Sequence, residues 1–586
     1  MSRMESFAAG LATCLLLAGA AAAQDLAEVP RERTLVTIGW SAGSPTLSAP
    51  NNANWYSLGA ELRNGIMFVN EPLFTYNHFT GEHIPWIAES YEYNDDYTSL
   101  TVKLRDGVTW SDGEAFDAED VAFTLNMLLE NGKTKKDLRK AIEVANQITG
   151  AEVIDPLTVR VDLIKPDPRY IYRQLTNYFG HGLIWVPEHI WSGIEDIANF
   201  TFLDLEKGWP VGTGAWKVVE TTPNEIVLDR RDDWWGAATG VMEMPAPERI
   251  ITIPAPDDER NAQLVVANQI DATFVIASPS LVQSILDQND RITTFAGRNP
   301  PYGYMDWWPH SLYFNHMAEG SPFLDINVRR AVLHAINRDQ LIEFAWDGAN
   351  SPNYFPYPAY EPLLPYIDSA KDLVEKYQVD VFDLDLSAKY MTDAGYEKDG
   401  EGFWAKDGER VGGPLEAQPA LAAVSQVLVQ QLRKAGFDAE YSQTPDSFRK
   451  FRAGESQWHV FGHNGGSIFD PVDTLRMYKT ENQSPIGTIT FFVARWSNPE
   501  LDAIVDQMEL LPPGDPGLMP LFHEAMDIWF ANVVEVPLEQ GYHLNALNET
   551  YWTNWPSTEN PYGSACVACF ISGWGTLLAH HVQPVQ

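Results

Sequence analysis

Basic side chains and cysteine are both scarce in this chain of 586 residues. Lys and Arg number 40 against 80 Asp and Glu, which gives a formal net charge of −40 at pH 7. Nucleic acids and anionic lipid surfaces are both bound through Lys and Arg, so this deficit argues against either as a partner. The acidic excess is typical of a surface that keeps copies of a protein apart, and we expect a monomer.

Long hydrophobic runs are also absent after the first 23 residues. Arg3 precedes an apolar, alanine-rich run over residues 7–22, and three alanines stand before Gln24. The run is too short for a full membrane span and ends in small residues. It therefore predicts a cleavable signal peptide over residues 1–23 and an exported protein. Cys14 leaves a lipoprotein anchor as the alternative, although Thr13 fits a lipid-attachment motif poorly.

Cys566 and Cys569 are the cysteines that remain once a signal peptide has been removed. In an oxidising compartment, such a C-x-x-C pair predicts a local disulfide. A metal site that adds His580 and His581 is the alternative, but two separate pairs do not make a zinc spacing. No nucleophile motif or phosphate-binding loop is present, so the sequence predicts no metal, no cofactor and no catalytic residue.

Strand-like and helix-like segments alternate along the chain, as in an α/β protein. Residues 35–40 and 157–163 alternate between apolar and polar with the period of a strand. Asp325 stands where a helix N-cap belongs, and Gly436 follows an apolar stripe over residues 421–432 as a helix end would. A chain of this length exceeds one hydrophobic core, so we expect at least two lobes.

The most informative stretch runs from residue 84 to residue 128. Apolar and polar residues alternate over 99–105, which is the pattern of a half-buried strand. Asp112-Gly113 is a turn pair. Asp117 and Asp120 then form the pattern of a capping box before a helix whose apolar face lies within 121–129.

The amino-acid pattern of this stretch resembles the signature of the family 5 solute-binding proteins. These are the dipeptide, oligopeptide, nickel and oligosaccharide receptors of bacterial ABC importers. Three further blocks resemble the family in order and spacing, and together the matches span nearly the whole mature chain. The matching segments are 88–90, 104–108, 112–113, 118–121, 210–216 with Arg230, Trp234 and Trp235, 312–315 with 322–331, and Asp470-Pro471.

The resemblance implies two α/β lobes around a deep cleft, with an extra subdomain on the first lobe. By these landmarks, lobe one covers residues 24–300 and again 545–586, its extra subdomain covers about 75–186, and lobe two covers 301–544. It also implies capture of a small molecule in the periplasm without turnover. Closure of the lobes over the ligand would precede delivery to the transmembrane subunits of an ABC permease.

One position bears on the chemistry of the ligand. Peptide-binding members of the family place an Asp four residues before the Pro of lobe two, where it pairs with the α-ammonium group of the ligand. Ser467 stands four residues before Pro471 here. A hydroxyl group cannot compensate a buried ammonium charge, which argues against free-amine peptides. A shift of register would bring Asp470 into that role.

Aromatic residues supply a second clue, because the chain holds 20 Trp. Flat rings stack on the apolar C–H faces of sugars, while polar groups bind the hydroxyls. We expect ligand contacts in the loop after the first strand, at the entry to lobe two and around Pro471. The candidate ligand-binding residues are Trp40, Ser41, Asn54, Trp55, Trp307, Trp308, Asn464, Ser467, Phe469 and Asp470.

These clues favour an oligosaccharide as the ligand. Residues 551–562 also resemble a tail segment of the cello-oligosaccharide-binding branch of the family. A peptide or opine ligand within the same family is the alternative. A secreted glycoside hydrolase, which needs two carboxyl groups across one bond, and a nickel receptor, which would be favoured by clustered histidines, are less favoured.

Overall fold

The computed structural model describes residues 26–39, 44–61, 65–178, 181–254, 257–276, 278–462, 466–566 and 573–586. The predicted signal peptide and four of the singled-out residues, Trp40, Ser41, Asn464 and Cys569, lie outside these ranges. Within them, no helix combines the length and the apolar character needed to cross a membrane.

A four-stranded sheet forms the centre of lobe one. The first two strands in spatial order are parallel and the others antiparallel. The first strand is buried along its whole length rather than on one face. Two helices cover one side of it, Asp258–Val266 and Pro279–Gln288, and the main core covers the other. In spatial order, the strands are Thr34–Gly39, Arg249–Pro254, Ile226–Arg230 and Trp216–Thr221.

A second, antiparallel sheet forms the extra subdomain. Alternate residues of its two inner strands are buried, as predicted, and the helix Ala118–Lys133 packs on the sheet. The capping box is confirmed, because Asp117 accepts from the N–H of Glu119 and Asp120 accepts from the N–H of Asp117. In spatial order, the strands are Ala88–Tyr93, Ser99–Leu104, Thr158–Leu163 and Ile148–Asp155.

A six-stranded mixed sheet forms the centre of lobe two. Asp325 caps the helix Ile326–His334, and Gly436 ends the helix Ala422–Ala435 with a φ of 105°, both as predicted. In spatial order, the strands are Ser351–Pro352, Glu535–Leu544, Gly303–Phe314, Trp458–Phe461, Gly412–Ala417 and Asp438–Ser442. The other helices of this lobe are Arg338–Trp346, Leu364–Ser369, Lys371–Tyr377, Leu384–Asp393, Ser447–Arg452, Val472–Met477, Pro499–Leu510 and Leu518–Asn532.

Shorter elements complete the two lobes. A small sheet in lobe one joins Phe74–Asn77 to Glu82–Pro85 and Thr176–Asn177, and a π-helical turn, Ile171–Leu175, precedes its last strand. The short helices of lobe one are Ala141–Ala145, Glu188–Trp191, Trp235–Ala238 and Trp574–His581. A three-stranded ribbon in lobe two consists of Glu397–Lys398, Trp404–Lys406 and Glu409–Arg410.

The chain passes between the lobes twice, side by side. Gly303 pairs with Leu544 at the end of the lobe-two sheet, and Ile292–Thr293 pairs with Leu547–Asn548 beside lobe one. A Cβ atom at Gly303 would lie 2.0 Å from the carbonyl oxygen of His543, so this close approach requires glycine. Two adjacent crossings form a hinge about which lobes can rotate. The predicted two-lobe α/β fold is confirmed, while the exact lobe boundaries stay a prediction.

The tail of the chain returns to lobe one. Trp552–Thr553 pairs with Gln583–Pro584, and the indole of Trp552 donates to the carbonyl of Thr34 at 3.2 Å. His580 packs against three tryptophans of lobe one, with ring centroids 5.0 to 5.3 Å away. This placement removes His580 from the alternative metal site. In the described part of the chain, no three His, Cys, Asp or Glu are grouped to hold a metal ion.

Candidate functional site

Aromatic rings from both lobes meet where the lobes face each other. The ring centroids of His78 and Tyr360 lie 4.6 Å apart, and those of Trp574 and Trp307 lie 6.0 Å apart. Each of these pairs joins lobe one to lobe two, so the contacts exist in the closed form. We call the group the aromatic cluster. It consists of His78, Phe79, Phe295 and Trp574 from lobe one and Tyr304, Trp307, Trp308, Tyr360 and His543 from lobe two.

Local hydrogen bonds hold the lobe-one rings in place. The strand Phe74–Asn77 ends at Asn77, whose side chain accepts from the N–H of Phe79 at 3.0 Å. This bond forms an Asx turn that leads His78 and Phe79 out of the strand. The same side chain donates to the carbonyl of Pro561 at 2.7 Å, which ties the turn to the tail of the chain.

A bulge in the long strand Gly303–Phe314 positions the two tryptophans of lobe two. Its register with the neighbouring strand shifts between Met305 and Pro309, and such a shift breaks the alternation of side chains. Trp307 and Trp308 lie within this irregular segment, with ring centroids 4.8 Å apart at an angle of 72°. Trp307 is buried and Trp308 half-buried, and both indoles belong to the cluster, while their contact with a ligand stays a prediction.

Three polar side chains of the cluster, His543, Tyr304 and Tyr360, have hydrogen-bond partners nearby. His543 lies 2.9 Å from the hydroxyl of Tyr304 and 3.1 Å from a carboxylate oxygen of Asp306. The hydroxyl of Tyr360 donates to the carbonyl of Met305 at 2.9 Å. In contrast to these three, neither ring nitrogen of His78 has a hydrogen-bond partner among the described residues. Burial lowers the pKa of His78 to about 3, so its ring is neutral.

A second interlobe contact surrounds Phe469. Its ring stacks on Tyr172 of the extra subdomain, with centroids 4.4 Å apart and an angle of 19° between the planes. Tyr76 and Tyr178 meet it edge-on at 6.0 and 6.1 Å. Phe469 therefore lies between the lobes, and the rings around it in this closed form come from the chain itself.

Two buried ion pairs lie beside Phe469, and we call them the ion-pair bridge. Arg169 of the extra subdomain donates to a carboxylate oxygen of Asp470 at 2.6 Å, and both side chains are at most 1% exposed. Arg173 donates twice to Asp473, at 2.6 and 2.8 Å. Because the arginines belong to lobe one and the aspartates to lobe two, the bridge joins the lobes.

Burial and the arginines of the bridge shift the pKa values of its two carboxyl groups in opposite directions. Burial acts to raise the pKa of Asp473, but the guanidinium groups of Arg173 and Arg476 outweigh it and hold this pKa well below its usual range. Burial raises the pKa of Asp470, and the pairing with Arg169 opposes that shift. The carboxyl group of Asp470 is thus engaged by a guanidinium group of its own chain. This pairing contradicts the prediction that the carboxyl group of Asp470 is available to bind a ligand.

Asn54 was predicted to bind the ligand, but in this fold its side chain has a structural role. Its side chain is fully buried, and its amide nitrogen donates to the carbonyls of Ile197 and Phe200 at 2.7 Å each. Its carbonyl oxygen accepts from the N–H groups of Tyr56 and Ser57. These four bonds use the full capacity of the amide.

Trp55 and Ser467 require the same correction. The indole of Trp55 is 2% exposed and lies in the main core, beside Tyr56, whose hydroxyl donates to the carbonyl of Ile184. The hydroxyl of Ser467 accepts from the N–H of Thr474 at 2.9 Å and holds the loop before the helix Val472–Met477. Both side chains serve the packing of their own lobe.

Cys566 is buried and disulfide-bonded. Its predicted partner Cys569 lies outside the described residues, so the pairing itself stays a prediction. The aromatic tail segment 551–562 packs on lobe one: the guanidinium of Arg31 lies 4.3 Å from the ring of Tyr551, and Trp552 and Trp555 are buried.

The lobe-one half of the aromatic cluster was not among the residues predicted from sequence. A signal was present, because ring-bearing residues stand at positions 74, 76, 78 and 79. Alternation accounts for the first three as one face of a strand, but it does not show that the strand end points at the other lobe. Trp574 and Tyr360 carried no local signal at all.

Comparison with known proteins gives the family context. Residues 82–485, more than half of the chain, match the model of the bacterial extracellular solute-binding proteins, family 5 (middle). A glutathione-binding protein of Pectobacterium atrosepticum is 25% identical over 312 residues, which are 53% of this chain and 52% of that relative. Heme-binding protein A of Haemophilus influenzae is 24% identical over 440 residues, 72% of this chain and 73% of its own length. The chain thus spans about half of the first relative.

Solved structures share the fold over nearly the whole chain. The periplasmic oligopeptide-binding protein of an oligopeptide ABC transporter from Thermotoga maritima has a TM-score of 0.78 at 22% identity, covering 95% of this chain and 100% of that chain. The crystal structure of that protein with bound mannohexaose has a TM-score of 0.74 at 21% identity, covering 95% and 99%. At these identities the likeness establishes the two-lobe fold.

Proposed function

The chain belongs to family 5 of the bacterial extracellular solute-binding proteins, the substrate-binding proteins of ABC transporters, and from this premise we propose that it captures an oligosaccharide between its lobes. The closed complex then delivers the sugar to the transmembrane subunits of an ABC permease. Its role is binding without turnover, in the periplasm, after export by the predicted signal peptide of residues 1–23.

The observation that carries the proposal is the aromatic cluster between the lobes. Sugar rings present apolar C–H faces that stack on flat side chains, and indole offers the largest such surface. Closure brings Trp307 of lobe two to 6.0 Å from Trp574 of lobe one. At this distance the two rings contact each other, so a sugar bound here would lie beside the pair and could touch rings of both lobes along one face. The water-poor surroundings would strengthen the hydrogen bonds to its hydroxyls.

The ion-pair bridge supports a sugar over a peptide with a free amino group. An α-ammonium group enclosed beside Asp470 would have to displace Arg169 or remain without a partner. Either arrangement leaves a buried charge uncompensated, at a cost of about 3–5 kcal/mol for a broken buried pair. A neutral saccharide needs no charged partner, so it leaves the bridge intact.

An oligopeptide or an opine is the second candidate ligand. The relatives support it, because one is a glutathione-binding protein and the structural neighbour from Thermotoga maritima is an oligopeptide-binding protein by name. The same neighbour has been solved with mannohexaose bound, which supports the saccharide. Fold similarity alone favours neither ligand, and the aromatic cluster and the bridge favour the sugar.

Calorimetric titration of ligand-free protein tests the proposal. The protein without residues 1–23 is unfolded and refolded to remove any copurified ligand, and is then titrated with mannohexaose, cellohexaose and tri- to pentapeptides. We expect micromolar or tighter binding of a saccharide and no heat with the peptides. Peptide binding without a response to saccharides would contradict the proposal and favour the second candidate.

A further inference from the structure

His78 has unmet hydrogen-bonding capacity at the contact between the lobes. Its side chain is 1% exposed, and its ring centroid lies 4.6 Å from those of both Tyr360 and Trp574 and 4.0 Å from that of Phe79. Among the described residues, neither Nδ1 nor Nε2 has a hydrogen-bond partner. Because Tyr360 belongs to lobe two, the imidazole lies against the opposite lobe.

Two other buried histidines show what is usual in this chain. His310 lies 2.9 Å from a carboxylate oxygen of Glu539, and His334 lies 2.9 Å from the carbonyl of Val381. Each therefore uses a ring nitrogen within lobe two. His78 is equally buried, but no described group around it bonds to either of its ring nitrogens.

The chemistry of a neutral imidazole defines what His78 needs. One ring nitrogen carries a donor N–H and the other is an acceptor. Burial lowers the pKa of His78 to about 3, so both roles persist at neutral pH. Buried polar groups in native proteins nearly always have partners, because an unmade bond costs the full desolvation of the group. No such partner is present among the described residues, so the bonds of His78 are left to water or to a ligand held between the lobes.

A hydroxyl group meets this need better than a charged group does. Hydroxyls both donate and accept, whereas a carboxylate only accepts and an ammonium only donates. Either ion would also place its charge against a neutral ring in a water-poor contact. The nearby amide of Asn77 and hydroxyl of Tyr360 already have partners, so they do not fill this role.

We propose that His78 is a specificity-determining residue, which donates one hydrogen bond to hydroxyl groups of the bound saccharide and accepts another from them. The inference rests on the proposed function, since it names the polar contact of the same site. Its consequence is selection against ligands that offer neither a donor nor an acceptor at this point, because they would leave both ring nitrogens unpaired in the closed form.

Two matched variants test the role of His78. His78→Phe keeps a flat ring of similar size and removes both hydrogen bonds. His459→Phe is the control, because His459 is also a fully buried imidazole, stacked between Tyr313 and Phe451 inside lobe two, and its Nε2 has no partner among the described residues. Wild type and both variants are titrated with mannohexaose and cellohexaose, and thermal unfolding confirms that each is folded.

We expect His78→Phe to lower the affinity for the bound saccharide about tenfold or more, as the loss of two hydrogen bonds requires. We expect His459→Phe to change it less than about twofold, since that ring lies outside the interlobe contact. If His78→Phe does not fold, His78→Asn replaces it with the same expectation, because the shorter amide cannot reach both partners.

The outcomes separate this inference from the proposed function. Saccharide binding by wild type with unchanged affinity in the His78 variant would overturn the inference alone, with water then bonding the imidazole. Equal losses in the His78 and His459 variants would also overturn it, since they would report packing. Absence of saccharide binding by wild type would overturn both the inference and the proposed function.

Discussion

At the scale of single residues, Glu71 is a carboxyl group buried in lobe one. Its side chain is 2% exposed and accepts a hydrogen bond from the indole of Trp235 at 2.6 Å. Burial raises the pKa of Glu71 from its ordinary value of 4.5 to about 7, against the opposing effect of its hydrogen bonds. Between pH 4.5 and about 7, the folded protein therefore holds a proton at Glu71 that the unfolded chain has released.

This shift predicts a pH dependence of the free energy of unfolding. The contribution of Glu71 is fully present below pH 4.5 and is lost as the pH rises through 7, because the folded state binds the extra proton in that window. Glu71→Gln removes the titration. We expect the variant to exceed wild type in stability by up to about 3 kcal/mol at pH 8, and the excess to shrink towards pH 5.

Urea unfolding at pH 5 and pH 8 measures this difference. Glu119→Gln is the control, because Glu119 is an exposed residue in the first turn of the helix Ala118–Lys133. A stability difference for Glu71→Gln that is the same at both pH values would contradict the assignment of the proton to Glu71.

At the scale of elements, the sequence predicted those helix ends and strands whose formation depends on a few neighbouring residues. The capping box at Asp117 and the glycine end at Gly436 were predictable because caps act within one helical turn. The half-buried strand Ser99–Leu104 was predictable because alternation reports burial directly. These local patterns also carried the family resemblance, and with it the two-lobe fold.

The candidate site was less predictable because its partners are distant in sequence. Asn54 bonds to carbonyls 143 and 146 residues away, so its sequence neighbourhood gave no sign of its structural role. The aromatic cluster joins residue 78 to residues 360 and 574. Such contacts are set by how the lobes pack, and residue periodicity describes only which face of an element is buried.

The ion-pair bridge joins the start of the π-helical turn Ile171–Leu175 and the residues just before it to the start of the helix Val472–Met477 and the loop before it. Asp470→Asn leaves the guanidinium of Arg169 buried and without its counter-charge in the closed form, whereas opening exposes it to water. We therefore expect this variant to disfavour closure and to lower ligand affinity about 10- to 100-fold, which is about 1.4 to 2.7 kcal/mol.

Asp393→Asn is the matched control for the bridge. It removes the carboxylate of an exposed pair with Lys389, whose side chains are 65% and 49% exposed for Lys389 and Asp393. Exposed pairs of this kind contribute little, so ligand affinity should stay within about twofold of wild type. Equal affinities of both variants, measured by calorimetry, would show that the bridge does not stabilise the closed form.

At the scale of the whole molecule, closure combines aromatic contacts with the ion-pair bridge on a strongly acidic protein. A formal net charge of −40 repels anionic solutes at long range and leaves neutral ones unaffected. Under the proposed function, the lobes select by charge at a distance and by ring stacking and hydrogen bonds on contact. A neutral saccharide satisfies both conditions.

The most direct test of saccharide capture compares two half-buried tryptophans in one titration series. Trp308 belongs to the aromatic cluster, whereas Trp209 lies away from it against Phe200 and Lys207. Trp308→Ala should lower the affinity for the saccharide bound by wild type about tenfold, and Trp209→Ala should leave it unchanged. Undiminished affinity in Trp308→Ala, or no saccharide binding by wild type, would contradict saccharide capture by the aromatic cluster.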